Sequence, residues 1–222
     1  MGETSIPIDV WSDVACPWCF VGKRNLEKAL GQLPEKAAEK FTVRWHAFEL
    51  NPRARKDVDT SVPYAERLAR KYQVAPEQAQ GMIDRMTQVG AEAGIEFRFD
   101  RVVPTNTFDA HRMIAWARAT SGGEAAARLK ERLLLAYMTE GAHLGQPEVL
   151  ARLTAETGLD AAAAQDVASS EAYGPAVRED EAAAYQMGVS GVPFFLVAGE
   201  TPLPGAQPPE VIAEALSAAA EP

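Results

Sequence analysis

Ile6-Pro7-Ile8-Asp9-Val10-Trp11-Ser12-Asp13-Val14-Ala15-Cys16-Pro17-Trp18-Cys19 is the stretch on which the reading of this chain turns. From Ile6 to Val14 apolar and polar residues alternate and β-branched types are frequent, the period-2 pattern of a half-buried strand. Beyond the cysteines the period changes. Phe20, Val21, Leu26, Ala29 and Leu30 recur at roughly helical spacing, Pro17 suits a first helical turn and Gly31 suits a stop. The two cysteines therefore fall at a strand-to-helix junction.

Working outward, Phe41 to Phe48 alternates again, with Phe41, Val43, Trp45 and Ala47 on one side and Thr42, Arg44 and His46 on the other, so strand, helix and strand form a βαβ start. After Asn51-Pro52 comes a charged segment, Arg53 to Asp59. From Tyr64 to about Met187 the chain reads as helix, broken at 74–76, 94–104, 121–123, 141–147, Gly158 and Gly174-Pro175. Gly188 to Val197 regains strand character around a single proline, and Pro208 to Ala220 reads as an amphipathic helix with Val211, Ile212, Ala215 and Leu216 on one side. The fold class expected is α/β, with a sheet split around a helical insert.

The chain has 222 residues, of which 47% are hydrophobic, enough for a substantial core. Its 31 acidic and 22 basic residues leave a net charge of −9, which argues against nucleic acid as a partner because a phosphate-binding surface needs clustered Lys and Arg. Residues 1–15 carry no Lys or Arg, the apolar residues of Ile6 to Val10 are interrupted by Pro7 and Asp9, and no apolar run approaches the ~18 residues of a spanning helix. A soluble, cytoplasmic protein with no membrane partner is expected. Nothing in the pattern speaks to oligomeric state.

The only 2 cysteines cannot build a multi-bridge framework or a four-thiolate zinc site, and His46, His111 and His143 show no ligand-like spacing, so no metal is expected. Two buried structural thiols, or half of a metal knuckle, would be the bland reading of C-x-x-C; the strand before it, the helix after it and the lack of a second pair favour redox chemistry. A thiol attacks a disulfide only as thiolate, and a helix N-terminus stabilises that anion with its unpaired N–H groups and positive dipole end. Cys16 is placed to be the nucleophile. Cys19, about one turn further, is placed to resolve the mixed disulfide or close the oxidised form. Pro17 fixes φ, and the bulky Trp18 restricts access and is the aromatic best placed to touch substrate.

Late in the chain stands Ser190-Gly191-Val192-Pro193-Phe194-Phe195. A cis Pro193 beside the dithiol would leave the backbone of Val192 free to pair with an extended substrate chain, whereas a trans proline would simply open an edge strand; the pattern alone leaves both open. His111, in Asp109-Ala110-His111-Arg112 at a helix start, could face the dithiol as an accessory group or be a structural histidine held by a nearby cap.

The strand into Cys16-Pro17-Trp18-Cys19, the helical insert and Gly191-Val192-Pro193 together resemble the DsbA family of thioredoxin-fold proteins. Ser12 to Cys19, Phe48-Glu49-Leu50-Asn51-Pro52, Asn106-Thr107-Phe108-Asp109-Ala110-His111-Arg112 and Gly191 to Phe195 resemble in particular its FrnE-type, cytoplasmic branch. The resemblance implies a cis Val192-Pro193 peptide and a thioredoxin-like domain made of residues 1–60 and 188–222, with a helical domain over 61–187. It also implies paired strands at Phe194 to Val197 and Leu203 to Gln207. Some FrnE-type proteins carry a second cysteine pair near the C-terminus; this chain has no cysteine beyond Cys19, which excludes a relay between two dithiols.

Related branches, 2-hydroxychromene-2-carboxylate isomerases and kappa-class glutathione transferases, are expected to carry serine where this chain has Cys16. Both sulfurs are present here, so the function expected is disulfide exchange on protein or small-molecule disulfides. No cofactor is needed beyond the Cys16–Cys19 disulfide itself, with glutathione as a candidate co-substrate. A glutathione-dependent isomerase or transferase and a chaperone-like binding module are the alternatives.

Overall fold

The computed structural model describes residues 5–57 and 60–221. Val58 and Asp59 of the charged segment, and residues 1–4 and 222 at the ends of the expected domain parts, lie outside that range. Strand β1 (Ile6–Ser12) leads into helix α1 (Pro17–Gln32), a short helix α2 (Glu35–Ala38) and strand β2 (Phe41–Ala47). Six α-helices and a π turn follow among the described residues before strand β3 (Phe194–Val197), strand β4 (Thr201–Pro204) and the last helix, α9 (Pro209–Ala220). The intervening elements are α3 (Tyr64–Tyr72), α4 (Pro76–Glu92), α5 (Phe108–Leu135), a π turn (Ala136–Glu140), α6 (Pro147–Ala155), α7 (Ala161–Ala168) and α8 (Gly174–Gln186).

The strands form one sheet in the order β2-β1-β3-β4. β1 is central: it runs parallel to β2, with Val10 opposite Trp45, and antiparallel to β3, with Val10 opposite Phe195. β3 and β4 are antiparallel neighbours. The alternation of β1 has the consequence its period requires. Ile8 and Val10 enter the main core with Phe20 and Leu26 of α1, Phe195 of β3, and Ile212 and Leu216 of α9. Trp11 points the other way, into a smaller cluster with Phe48, Phe194 and Ala184 of α8.

Several boundaries differ from those the sequence suggests. β1 stops at Ser12 rather than Val14, because Asp13 and Ala15 turn the chain toward the cysteines. α1 runs through Gly31 to Gln32 and ends instead at Leu33, whose extended backbone (φ −77°, ψ 151°) is what a residue preceding proline favours. β2 stops at Ala47 rather than Phe48. β3 starts only at Phe194, and β4 is Thr201–Pro204 rather than Leu203 to Gln207. In α9 Ile212 and Leu216, four apart, form the buried stripe while Val211 is exposed. The expected break at 121–123 is a kink inside α5, where Gly122 adopts φ +86°. Among the described residues no helix is long and apolar enough to cross a membrane.

The Trp11 face is also tied to α8 electrostatically. His46 of β2 stacks on Trp11 at 4.5 Å and bridges two carboxylates, Nε2 to Asp9 Oδ1 and Nδ1 to Asp180 Oδ1, both at 2.8 Å. Asp180, on α8, also accepts the Ala47 N–H at 3.0 Å. Burial pushes the His46 imidazolium down, but the hydrogen bonds and charges of Asp180 and Asp9 outweigh it and hold its pKa above the ordinary value. A group raised on folding stabilises fully below its unfolded pKa, ~6.5, and that contribution is lost as pH rises through the folded value. Melting temperature of the wild type is therefore expected to fall, relative to His46→Gln, as pH is raised from about 6.5 into that window. Parallel profiles for the two proteins would show that the bridge carries no charge.

Candidate active site

α1 opens at the cysteines for local reasons. Cys16 is its N-cap, in extended conformation (φ −104°, ψ 112°), and Pro17 occupies the first helical turn, where its missing N–H costs nothing. The Cys19 N–H donates to Cys16 O at 3.0 Å, and the first turn carries no acidic side chain to oppose the helix dipole. Both thiols are free and buried, Cys16 to 4% and Cys19 to 1% exposure. Trp18 between them is turned outward, 43% exposed.

Val192 and Pro193 arrive from far along the chain because β3 pairs with β1. The Val192-Pro193 peptide is cis, and the Cys16 thiol donates to Val192 O at 3.5 Å. Gly205, just past β4, donates to Pro193 O at 2.8 Å and fixes the loop from behind. Gly22, two turns into α1, lets the helix approach this loop: a Cβ there would sit 2.9 Å from Pro193 Cγ and 3.2 Å from Phe195 Cζ. In Gly22→Ala the gain in helix propensity, about 1 kcal/mol, opposes an overpacking cost of about 1–3 kcal/mol against a proline ring that cannot swing away. A net loss of about 1 kcal/mol in urea unfolding is expected. A variant as stable as wild type would mean that the Pro193 loop yields.

Behind the dithiol the structure places groups that periodicity does not single out. Asp13 is buried and fully engaged: Oδ1 accepts from Ala15 N at 3.2 Å and hydrogen-bonds His111 Nε2 at 3.3 Å, and Oδ2 accepts from Leu50 N at 2.8 Å. Burial pushes its carboxyl up, but His111 and the two backbone donors bring it below the usual carboxylate range. His111 thus reaches the loop that carries the cysteines through Asp13, rather than a sulfur. Glu49, also buried, accepts from Asn106 Nδ2 at 2.9 Å and Arg178 Nη1 at 2.6 Å. The segments 12–19, 48–52 and 106–112, distant in sequence, meet here.

Cys19 Sγ accepts from the Asp13 N–H at 3.4 Å. Burial, reinforced by the neighbouring Cys16, pushes the Cys19 thiol well up, so it rests protonated. Nearby lies Lys130 of α5, 1% exposed, its Nζ donating to Ser12 O at 3.2 Å and lying 6.0 Å from the Trp45 ring centre. Burial pulls this ammonium down to about 8 against the opposing pull of Cys19, Asp13 and Cys16. Lysine in a helical run reads as a surface residue, so no sequence signal marks it.

Two adjoining cavities open on the site. One, of about 340 Å³, has Cys16, Pro17 and Trp18 on one side and Tyr72, Met82 and Met86 of α3 and α4 on the other. The second, of about 480 Å³, is walled by Asp13, Arg55, Arg67 and Tyr137 among others, and shares Ala15, Leu50, Tyr64, Leu68 and Lys71 with the first. Volumes of this size suit a small molecule or a few peptide side chains.

Known proteins share this fold. A model of the DSBA-like thioredoxin domain matches residues 7–217. A probable DsbA oxidoreductase from Streptomyces coelicolor is 34% identical in sequence and superposes with a TM-score of 0.88, over 96% of this chain and 89% of that one. An uncharacterized Bacillus subtilis protein, YwbO, is 28% identical over 216 residues, 96% of each chain. The cytosolic disulfide reductase DsbM of Pseudomonas aeruginosa, at 18% identity, shares the fold with a TM-score of 0.62 over 96% of this chain and 97% of its own. With the split β1-α1-β2 and β3-β4-α9 sheet, the dithiol at the start of α1 and a family match running through nearly the whole length, the chain belongs to the DSBA-like thioredoxin domain family.

Proposed function

We propose that the chain is a thiol–disulfide oxidoreductase in which Cys16 attacks and Cys19 resolves. The observation that carries this reading is the pairing of Cys16 Sγ, at the N-terminus of α1, with Val192 O beside Pro193. The helix dipole favours negative charge at Cys16, while Cys19, deeper and without solvent, is held as a thiol until Cys16 has reacted. A substrate disulfide lies across Trp18 and Pro193, with Pro17 and Val192 as its other contacts. The Cys16 thiolate forms a bond to one substrate sulfur and expels the other as a thiolate. Cys19 then loses its proton, attacks Cys16 Sγ and releases the second thiol. His111 serves as an accessory that fixes Asp13 and with it the cysteine loop.

The substrates are protein or small-molecule disulfides that present an apolar flank to the cavity between Trp18 and Met82. The test is reduction of insulin by dithiothreitol in the presence of wild type, Cys16→Ser and Cys19→Ser. A chaperone-like binding module predicts three equal proteins; a glutathione-type transferase predicts that Cys19→Ser retains full turnover. The expected outcome separates all three.

A further inference from the structure

A lone ammonium in a dry core is costly unless paired, and it is retained where it has a task. Lys130 is such a group. No carboxylate of the described residues lies within ion-pairing distance of it, and its one hydrogen bond goes to Ser12 O. That carbonyl belongs to the same peptide unit as the Asp13 N–H, which points at Cys19 Sγ. In a trans peptide the C=O and N–H face opposite ways, so Lys130 and Cys19 stand at the two ends of one amide. A cation on the oxygen polarises the amide and makes its N–H a stronger donor to an anion on the far side.

We propose that Lys130 is the positioning cation of the resolving cysteine: through the Ser12–Asp13 peptide it stabilises the Cys19 thiolate at the moment that thiolate attacks the mixed disulfide on Cys16. The inference rests on the function proposed above and assigns it a part that neither sulfur can supply. Other charged and titratable groups face this region: Asp13 with its partner His111, Cys16 at the start of α1, and Lys23 one turn beyond Cys19. Asp13 opposes a Cys19 anion, which leaves Lys130 as the buried cation nearest to favouring it; Lys23 spends its charge on Glu27 and Glu131.

The test is a single turnover of the reduced chain with 5,5′-dithiobis(2-nitrobenzoate), which reads the two steps separately. Attack by Cys16 forms its bond to one aryl sulfur, breaks the probe's S–S bond and releases the first coloured thiolate. Attack by Cys19 forms the Cys16–Cys19 bond and releases the second. The dithiol gives up two electrons and two protons, and the probe is reduced to two thiolates. Lys130→Met removes the buried charge at similar volume, and Lys130→Gln keeps a donor for Ser12 O without the charge. In both, release of the second thiolate is expected to slow at least about tenfold while the first changes less than about threefold, the tenfold step corresponding to about 1.4 kcal/mol. The advantage of wild type over either variant in the second step is expected to shrink as pH is raised through about 8, where the buried Lys130 ammonium loses its proton. Because an unpaired charge is removed, Lys130→Met is also expected to melt no lower than wild type.

Second-step rates equal to wild type in either folded variant, or equal slowing of both steps, overturn the role of Lys130. Should Lys130→Met not fold, Lys130→Gln decides by the same criteria. A wild-type chain that releases no more thiolate than Cys16→Ser overturns the oxidoreductase reading itself, so the two failures are distinct.

Discussion

Cys16→Ser is expected to lower insulin reduction by at least about a thousandfold, to the dithiothreitol background, because a serine hydroxyl does not ionise near neutral pH and cannot form a disulfide. The fold should be untouched: beside its neighbour Cys19, the buried side chain makes one weak hydrogen bond, to Val192 O at 3.5 Å, which a hydroxyl can reproduce. Equal melting temperatures for the variant and wild type would exclude unfolding as the cause. Cys19→Ser should behave differently. Its Cys16 remains at the helix N-terminus and still attacks, so with substrate disulfide and no dithiothreitol one equivalent is captured as a covalent adduct, visible as added mass, and the reaction stalls for lack of a resolving sulfur. If Cys16→Ser retained wild-type turnover, the assignment of the nucleophile would be wrong. A Cys19→Ser chain that turned over without a trapped adduct would move the function toward a single-thiol transferase.

Arg112→Leu is expected to be the most damaging change outside the dithiol. The guanidinium is almost fully buried and donates to four acceptors: Asp109 Oδ1 at 2.9 Å, Val167 O at 3.0 Å, Ala172 O at 2.8 Å and Ala168 O at 3.4 Å. It thereby closes the end of α7 and the turn before α8 onto α5. Leucine fills part of the volume but leaves three carbonyls and a carboxylate without their donor, and breaking a buried pair from one side costs about 3–5 kcal/mol. For a chain of this size each kcal/mol lowers the melting temperature by about 2–4 °C, so a fall on the order of 10 °C is expected in a thermal melt. Asp109 retains its other partner, Lys56, which keeps the loss within that range. A melting temperature unchanged by the substitution would mean that the carbonyls find other donors.

The sheet and its helix were legible because both periods are local. Alternation from Ile6 and helical spacing after Pro17 needed no knowledge of the rest of the chain, and Cys16 and Cys19 declared themselves by spacing. What completes the site is not local. Lys130 sits within an Ala- and Leu-rich helix where lysine ordinarily faces water, and only the crossing of α5 behind the Ser12–Asp13 peptide makes it a buried group. Gly22 carries no period at all; its need is set by Pro193, far along the chain. His46, which alternation places only on the polar side of β2, gains its role from Asp180 on α8. His111, which the sequence leaves between an accessory and a structural role, contacts Asp13, a residue whose importance depends on the turn after β1. Terminal residues of elements shifted wherever a proline or a side-chain cap decided the end, as at Leu33.

The central position of β1 bears on how the chain is made. β1 is finished at Ser12, yet one of its two edges stays open until Phe194 to Val197 exist to cover it. At ribosomal speeds of ~5–20 residues per second, the roughly 180 residues between them take about 10–40 s to synthesise. Throughout that interval the nascent chain presents an unpaired strand edge and two thiols with no Val192-Pro193 lid, the combination most prone to wrong strand pairing and to capture by stray disulfides. Polypeptides released before β3 and β4 are made should therefore be handled by the cell as unfinished material.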